Sequence, residues 1–240
     1  MKKTTVLFDL DGTLIGLDQD EFIRLYFVVL LDKLAALGYD SDKMYDALAK
    51  SIRATKTNDG TVTNEVRFWQ SLDDAVGGLT DTLRDAILSF YTDDFSSILE
   101  RTCTAYPRAR EILDAARAKG LRIILATNPL FPAVCTHARI RLGGMTPEDF
   151  EYITAYENSS HCKPNPAYFT ELLTKLGVSP DECIMVGNDT KDDFSAHAIG
   201  IPVFVLTDGL INQGNVDLND VRLVCRSYNL GSKHTRRGLH

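Results

Sequence analysis

From residue 107 onward, short apolar runs alternate with segments of helical periodicity, and this alternation constrains the fold more than any other feature of the chain. Apolar runs predict buried strands at residues 121–126, 183–186 and 203–206, and a weaker strand at 152–155. The segments between them predict helices at residues 107–119, 133–142, 166–176 and 192–199. Strands that alternate with helices are typical of a parallel sheet covered on both faces.

The first predicted strand is separated from the others by a long helical block. Residues 6–14 read Val-Leu-Phe-Asp-Leu-Asp-Gly-Thr-Leu, which is typical of a buried strand leading into a tight turn. Residues 15–106 show helical periodicity without a strand signal. We therefore predict an α/β, Rossmann-like core of about five parallel strands, formed by residues 1–14 and 107–240, and an inserted all-helical domain, formed by residues 15–106.

Within the helical block, we expect helices at residues 21–37, 41–55 and 63–76, and one long helix or two joined helices at 79–99. The expected N-caps are Ser41, Thr63 and Thr80.

Composition limits the partners of this chain. The net charge of −7 argues against nucleic acid or an anionic membrane as a partner. The five cysteines are scattered without a C-x-x-C pair, which favours a reducing compartment over a disulfide framework or a zinc site. The N-terminal apolar run is too short for a signal peptide, and no run reaches the roughly 20 residues of a membrane span. We therefore expect a cytoplasmic protein whose basic C-terminal residues 226–240 form a solvated tail.

Polar residues suited to chemistry follow four predicted strands or loops. They are Asp9 and Asp11, Thr127 and Asn128, Lys163, and the acidic turn that contains Asp189 and Asp193. Because ligands bind at the carboxyl ends of strands in open parallel sheets, we expect these residues to meet at one edge.

Such a cluster favours phosphoryl chemistry. Carboxylates a few Å apart repel one another, and a hard cation such as Mg²⁺ relieves that repulsion. A lysine and a hydroxyl would then hold phosphate oxygens, and a carboxylate can act as a nucleophile that forms an aspartyl-phosphate. A second carboxylate two residues further along an extended strand points to the same side and can transfer protons.

These motifs resemble those of the haloacid dehalogenase superfamily, in the order in which that family carries them. The motifs are Asp9-Leu-Asp11-Gly-Thr, Thr127, Lys163 and Gly187-Asn-Asp189-x-x-x-Asp193. The resemblance implies that Asp9 is the nucleophile and Asp11 the general acid/base. It also implies that Thr127 binds the phosphoryl group and that Lys163 neutralises its charge and that of Asp9.

The same resemblance implies a Mg²⁺ site formed by Asp9, Asp11, Asp189 and Asp193, in which Asp193 is either a further ligand or an orienting residue. It places the helical block where the family has a helical cap. Because Asp11 is present, the resemblance favours a phosphatase over a dehalogenase. We expect Mg²⁺-dependent hydrolysis of a small phosphorylated metabolite. A phosphomutase and a non-catalytic phospho-ligand-binding module are the alternatives.

Several assignments stay open at this level. In an alternative register of the acidic turn, Asn188 and Asp192 take the roles of Asp189 and Asp193. This register keeps the position directly after Gly187 but has one carboxylate fewer. Asn128 can bind substrate and phosphate, as Thr127 and Lys163 are expected to do, or it can cap the next helix. The helical-block residues Arg53, Lys56 and Asn58 either meet the polar end of a substrate or lie on a solvated face. The oligomeric state is open as well.

Overall fold

The computed structural model describes residues 2–207 and 209–213, and the backbone of 224–225. In chain order the strands are β1 (Thr5–Phe8), β2 (Ile15–Leu17), β3 (Cys103–Ala105), β4 (Arg122–Leu125), β5 (Tyr152–Ile153), β6 (Cys183–Gly187), β7 (Val203–Leu206) and β8 (Val224–Cys225). The helices are α1 (Gln19–Ala36), α2 (Ser41–Lys56), α3 (Asn64–Val76), α4 (Asp81–Ser89), α5 (Phe95–Thr102), α6 (Ala109–Ala118), α7 (Ala133–Leu142) and α8 (Pro166–Leu176). The predicted tail at residues 226–240 lies outside the described residues.

Six strands form one parallel sheet in the order β5-β4-β1-β6-β7-β8. The register pairs Phe8 with Leu125 on one side and with Val186 on the other, so β1, β4 and β6 end at the same level. Side chains alternate between two apolar clusters: Phe8 packs on the side of α6, and Leu7 on the side of α8. The predicted parallel α/β core is confirmed, and β8 adds a strand to the five that we expected.

Helices α1 to α5 pack around a separate apolar cluster that includes Leu30, Leu48 and Phe90. Helices α4 and α5 are joined by a π-helical turn at Phe90–Asp94, so the stretch expected to hold one long helix or two joined helices contains two. Thr63 and Thr80 are N-caps as predicted.

The prediction that Ser41 caps α2 is wrong. The N-cap is the neighbouring Asp40, whose carboxylate accepts the backbone N–H of Lys43 at 3.0 Å. Two more expectations for local structure differ from the fold. Helix α6 begins at Ala109 and not at the proline in position 107, and the helix expected after β6 is a 3-10 helix at Asp193–Ile199.

The expectation that residues 15–106 contain no strand is also wrong. Strands β2 and β3 pair antiparallel, with Ile15 opposite Ala105, and they form the two ends of the helical segment. Each strand has three residues, which is too short for an alternating pattern to show in the sequence. The chain therefore enters and leaves the helical segment at neighbouring positions.

The helical segment contacts the α/β core at two further places. Cys135 on α7 is part of the apolar cluster of the helical segment. At the start of α3, the Asn64 side-chain amide donates hydrogen bonds to the carbonyls of Pro129 at 3.1 Å and His161 at 3.3 Å. These contacts hold α1 and α2 over the carboxyl edge of the sheet, where they line a cavity together with the predicted site residues. None of the described helices is long and apolar enough to span a membrane.

Candidate active site

Lys163 forms the centre of the site and links two carboxylates. Its ammonium Nζ donates to Asp9 Oδ1 at 2.8 Å and to Asp193 Oδ1 at 2.7 Å. Asp9 directly follows β1, and Asp193 begins the 3-10 helix that follows β6. Lys163 is 1% exposed, so both ion pairs are shielded from water. The structure thus brings together three predicted site residues from three separate segments.

This arrangement shifts the pKa values of Asp9 and Lys163. Burial raises the pKa of Asp9 to about 7; Lys163 opposes that rise, while the carboxylates of Asp193 and Asp11 add to it. Burial alone would lower the pKa of Lys163, but the charges of Asp193 and Asp9 outweigh it and hold that pKa above the ordinary lysine value. One ammonium is therefore shared by two carboxylates, and a second positive charge near Asp9 would stabilise its ionised form.

Asp11 forms an ion pair that the sequence did not reveal. Its Oδ2 accepts a hydrogen bond of 2.5 Å from Nη1 of Arg139, a side chain on α7 that is almost fully buried. The Arg139 guanidinium also donates to the Thr136 hydroxyl at 3.3 Å and lies 5.5 Å from the ring centroid of Phe131. The other oxygen of Asp11, Oδ1, is buried without a hydrogen-bond partner in the described part of the chain. Arg139 thus holds one carboxylate oxygen and leaves the second for another ligand.

The turn after β6 is organised around Asp193. Its Oδ2 accepts the backbone N–H groups of Asn188 and Asp189, each at 3.0 Å, while Oδ1 accepts from Lys163. Gly187 is required here, because a Cβ at this position would overlap with the Asp193 carboxylate. Both oxygens of Asp193 are thus engaged by protein donors, a pattern that suits the orienting role for this residue.

Asn188 and Asp189, which belong to the two alternative registers, have different surroundings. The Asn188 amide accepts from the Thr13 hydroxyl at 3.1 Å and donates to the Gly209 carbonyl at 2.7 Å, so it joins two loops. The Asp189 carboxylate accepts the backbone N–H of Lys191 at 2.7 Å and the side-chain amide of Gln213 at 2.9 Å.

Thr127 and Asn128 follow β4 and face the same cavity. The Thr127 carbonyl is fixed by hydrogen bonds from the hydroxyls of Thr154 at 2.7 Å and Tyr168 at 2.9 Å. Among the residues that the structure describes, none hydrogen-bonds to the Thr127 hydroxyl, so it is available to a ligand. The Asn128 amide donates to Asp192 Oδ2 at 3.1 Å and does not cap α7, where the Glu157 carboxylate accepts the backbone N–H of Ala133 at 2.9 Å.

The oxygen donors of the site fit Mg²⁺, although they are not gathered into a cage. Within the described residues, no three His, Cys, Asp or Glu side chains lie close enough together to hold a metal ion. Asp11 is drawn toward Arg139 and Asp193 toward Lys163, which accounts for this spacing. Mg²⁺ usually takes one or two carboxylates and completes its shell with water and phosphate oxygens. Asp9 and Asp189 both line the cavity and supply ligands of that kind.

The sequence left the roles of three residues of the helical segment undecided, and two of the three line the cavity. Arg53 and Lys56 line it from α2. Asn58 is buried elsewhere, with its amide donating to Asn64 Oδ1 at 2.9 Å and its oxygen accepting from Arg67. Of these three residues, only Arg53 and Lys56 can therefore meet a substrate.

Three residues around the site were missed from the sequence. The Thr13 hydroxyl, within the first motif, lies 3.1 Å from its acceptor Asn188 Oδ1 and 3.4 Å from Asp9 Oδ2, and Gln213 donates to Asp189. Of these residues, only Thr13 could have been identified from the sequence, because it directly follows Gly12 in the first motif. The third residue, Arg139, reaches the site from the middle of a helix and belongs to no motif.

Comparison with known proteins defines the class. Residues 3–209 match the haloacid dehalogenase-like hydrolase family, and the chain belongs to this family. The family resemblance of the motifs is thereby confirmed. The structure is similar to that of a HAD phosphatase from Thermococcus onnurineus, with a TM-score of 0.55, 20% identity and 92% of each chain covered, which supports the fold.

Two relatives carry specific names. A phosphoglycolate phosphatase of Rhodospirillum rubrum is 32% identical over 131 residues, which is 54% of this chain and 52% of that protein. The chain thus matches about half the length of this relative. A pyrophosphatase PpaX of Bacillus pumilus is 26% identical over 196 residues, which is 82% of this chain and 79% of that protein.

Proposed function

We propose that this protein is a Mg²⁺-dependent phosphatase that hydrolyses a small phosphomonoester through an aspartyl-phosphate. The observation that carries the proposal is the buried Lys163, whose ammonium lies 2.8 Å from Asp9; both residues line the same cavity as Thr127. A nucleophile, a cation and a hydroxyl donor around one cavity are suited to bind and attack a phosphoryl group. The phosphatase names of two relatives support the same reaction class.

The proposed reaction has two steps. In the first, an Asp9 oxygen attacks phosphorus, the bond from phosphorus to the alcohol oxygen breaks, and Asp11 in its protonated form donates a proton to the leaving oxygen. In the second, Asp11 accepts a proton from water, whose oxygen attacks phosphorus and releases phosphate from Asp9. Lys163 and the Thr127 hydroxyl bind the phosphoryl oxygens throughout.

We further propose that Asp9 and Asp189 hold the metal, while Asp193 orients Lys163 and the turn. Bound Mg²⁺ would neutralise negative charge on the phosphoryl group and on Asp9. Helices α1 and α2 lie over the site, so we propose that the helical segment acts as a cap that excludes water and contributes substrate contacts.

Replacement of the nucleophile tests this proposal. Asp9→Asn keeps the size of the side chain but removes its nucleophilic oxygen, so Mg²⁺-dependent phosphate release should fall roughly a thousandfold or more. Asp20→Asn, at an exposed position in α1, is the matched control and should retain wild-type activity. The assay is phosphate release from a panel of phosphorylated metabolites with Mg²⁺ and with EDTA. Full activity of Asp9→Asn, or equal activity in EDTA, would contradict the proposal.

A further inference from the structure

The cavity extends well beyond the catalytic carboxylates. Its volume is about 440 Å³, and α1 and α2 line it together with Asp9 and Lys163. At roughly 30 Å³ for each water-sized group, it has room for on the order of fifteen such groups. A phosphoryl group occupies a minor part of this space, so the remainder is available to the alcohol part of a substrate.

The wall of this cavity combines aromatic rings with the two cations of α2, Arg53 and Lys56. Five rings line it, from Phe22, Tyr26, Phe27, Tyr45 and Phe131. The rings contact one another: the centroids of Phe27 and Tyr45 are 4.8 Å apart, and those of Phe22 and Phe131 are 5.8 Å apart and nearly perpendicular. Such a wall offers faces and edges on which a further ring can pack.

The polar end of one of these rings is already satisfied. The Tyr26 hydroxyl is buried and hydrogen-bonded to the Tyr91 hydroxyl at 3.0 Å, and Tyr91 does not line the cavity. Tyr26 therefore contributes ring surface rather than a hydroxyl group.

Two apolar residues of the cavity are also exposed to solvent. Ile23 on α1 is 46% exposed and Tyr45 on α2 is 47% exposed. The alcohol part of phosphoglycolate has two carbons and a carboxylate, so it has too little apolar surface to pack against these two side chains. A ring in the cavity would remove part of their surface from water, and burial of apolar surface favours binding.

We propose that the substrate is a phosphomonoester whose alcohol part carries an aromatic ring. The inference rests on the proposed phosphatase function and names the substrate class of the same site. The phosphoryl group would lie at Asp9, and the ring would pack against the aromatic wall formed by α1, α2 and Phe131. This class differs from the substrates in the names of the two relatives, which are small and anionic.

The test compares 2-phenylethyl phosphate with ethyl phosphate. Both compounds release a primary alcohol of similar acidity, so a difference in rate reports on binding of the ring and not on the leaving group. With Mg²⁺ and the full chain, kcat/KM should be at least roughly tenfold higher for the phenyl compound. Phosphoglycolate serves as the small anionic comparison.

Variants of exposed side chains locate the effect without disturbing the core. Ile23→Ser and Tyr45→Ser should each lower the phenyl-to-ethyl ratio of kcat/KM about threefold or more, because kcat/KM falls more for the phenyl compound. Val28→Ser is the matched control, because Val28 is 43% exposed on α1 and does not line the cavity. This control should leave the ratio unchanged.

The outcomes separate the inference from the proposed function. A wild-type ratio near one, or a preference for phosphoglycolate, with phosphate release intact would overturn the substrate class and leave the phosphatase standing. A raised ratio that Ile23→Ser and Tyr45→Ser do not change would overturn the assignment of the aromatic wall. Absence of Mg²⁺-dependent phosphate release from every compound would overturn the proposed function, and the inference with it.

Discussion

The ionised form of Asp9 should destabilise the metal-free protein at neutral and alkaline pH. Folding raises the pKa of Asp9 from 3.8 to about 7, with burial as the largest cause. A carboxyl whose pKa is raised by folding contributes favourably to the free energy of unfolding at low pH. This contribution is complete below the pKa of the unfolded state and is lost as the pH rises through the pKa of the folded state. Between about pH 4 and pH 7, the protein therefore loses stability that an uncharged side chain would retain.

The size of the effect follows from the shift. Three pKa units at about 1.4 kcal/mol each set an upper limit of about 4 kcal/mol near pH 8. Asp9→Asn removes the buried negative charge but also deprives Lys163 of one of its two carboxylate partners. We therefore expect the variant to gain about 2 kcal/mol of unfolding free energy near pH 8, and less than half of that near pH 5.

Urea unfolding in EDTA, followed by circular dichroism at the two pH values, measures this gain. Asp20→Asn, which removes an exposed carboxylate, should show no such dependence on pH. Equal or lower stability of Asp9→Asn near pH 8, or the same gain at both pH values, would refute the reasoning.

Two further substitutions test the contacts around the site. Arg139→Met removes a buried guanidinium and leaves Asp11 unpaired but 27% exposed, so the unfolding free energy should fall by about 2 kcal/mol in urea titrations; wild-type stability would show that the ion pair contributes nothing. Gly187→Ala introduces a Cβ that overlaps with the Asp193 carboxylate, so kcat should fall roughly tenfold to a hundredfold while circular dichroism stays unchanged. Wild-type kcat for Gly187→Ala would show that the position of Asp193 does not matter for turnover.

Much of the core was predictable because its strands are continuous apolar runs. Strand β7 and helices α7 and α8 have the predicted bounds. The meeting of Asp9 and Lys163 was predictable as well, since parallel strands bring their carboxyl ends to one edge.

Other features have no local signal in the sequence. Strands β2 and β3 have three residues each, so their pairing depends on the fold around them. Arg139 reaches Asp11 across 128 positions of the chain, and no motif surrounds it. The orientation of Asp193 depends on the turn after β6, where two backbone N–H groups point at one carboxylate oxygen. Spacing along the sequence identifies the carboxylates but does not determine which donor each one meets.

The antiparallel pairing of β2 with β3 has a consequence for how such a protein can diversify. Because Ile15 lies opposite Ala105, a helical segment of different length or sequence can join the core through the same two neighbouring strands. The sheet need not change when the segment is exchanged. A replacement segment must match the apolar contact with α7, which includes Cys135, and the hydrogen bonds that Asn64 donates to the core. Chimeras between relatives should therefore be built with the helical segment and α7 from the same parent.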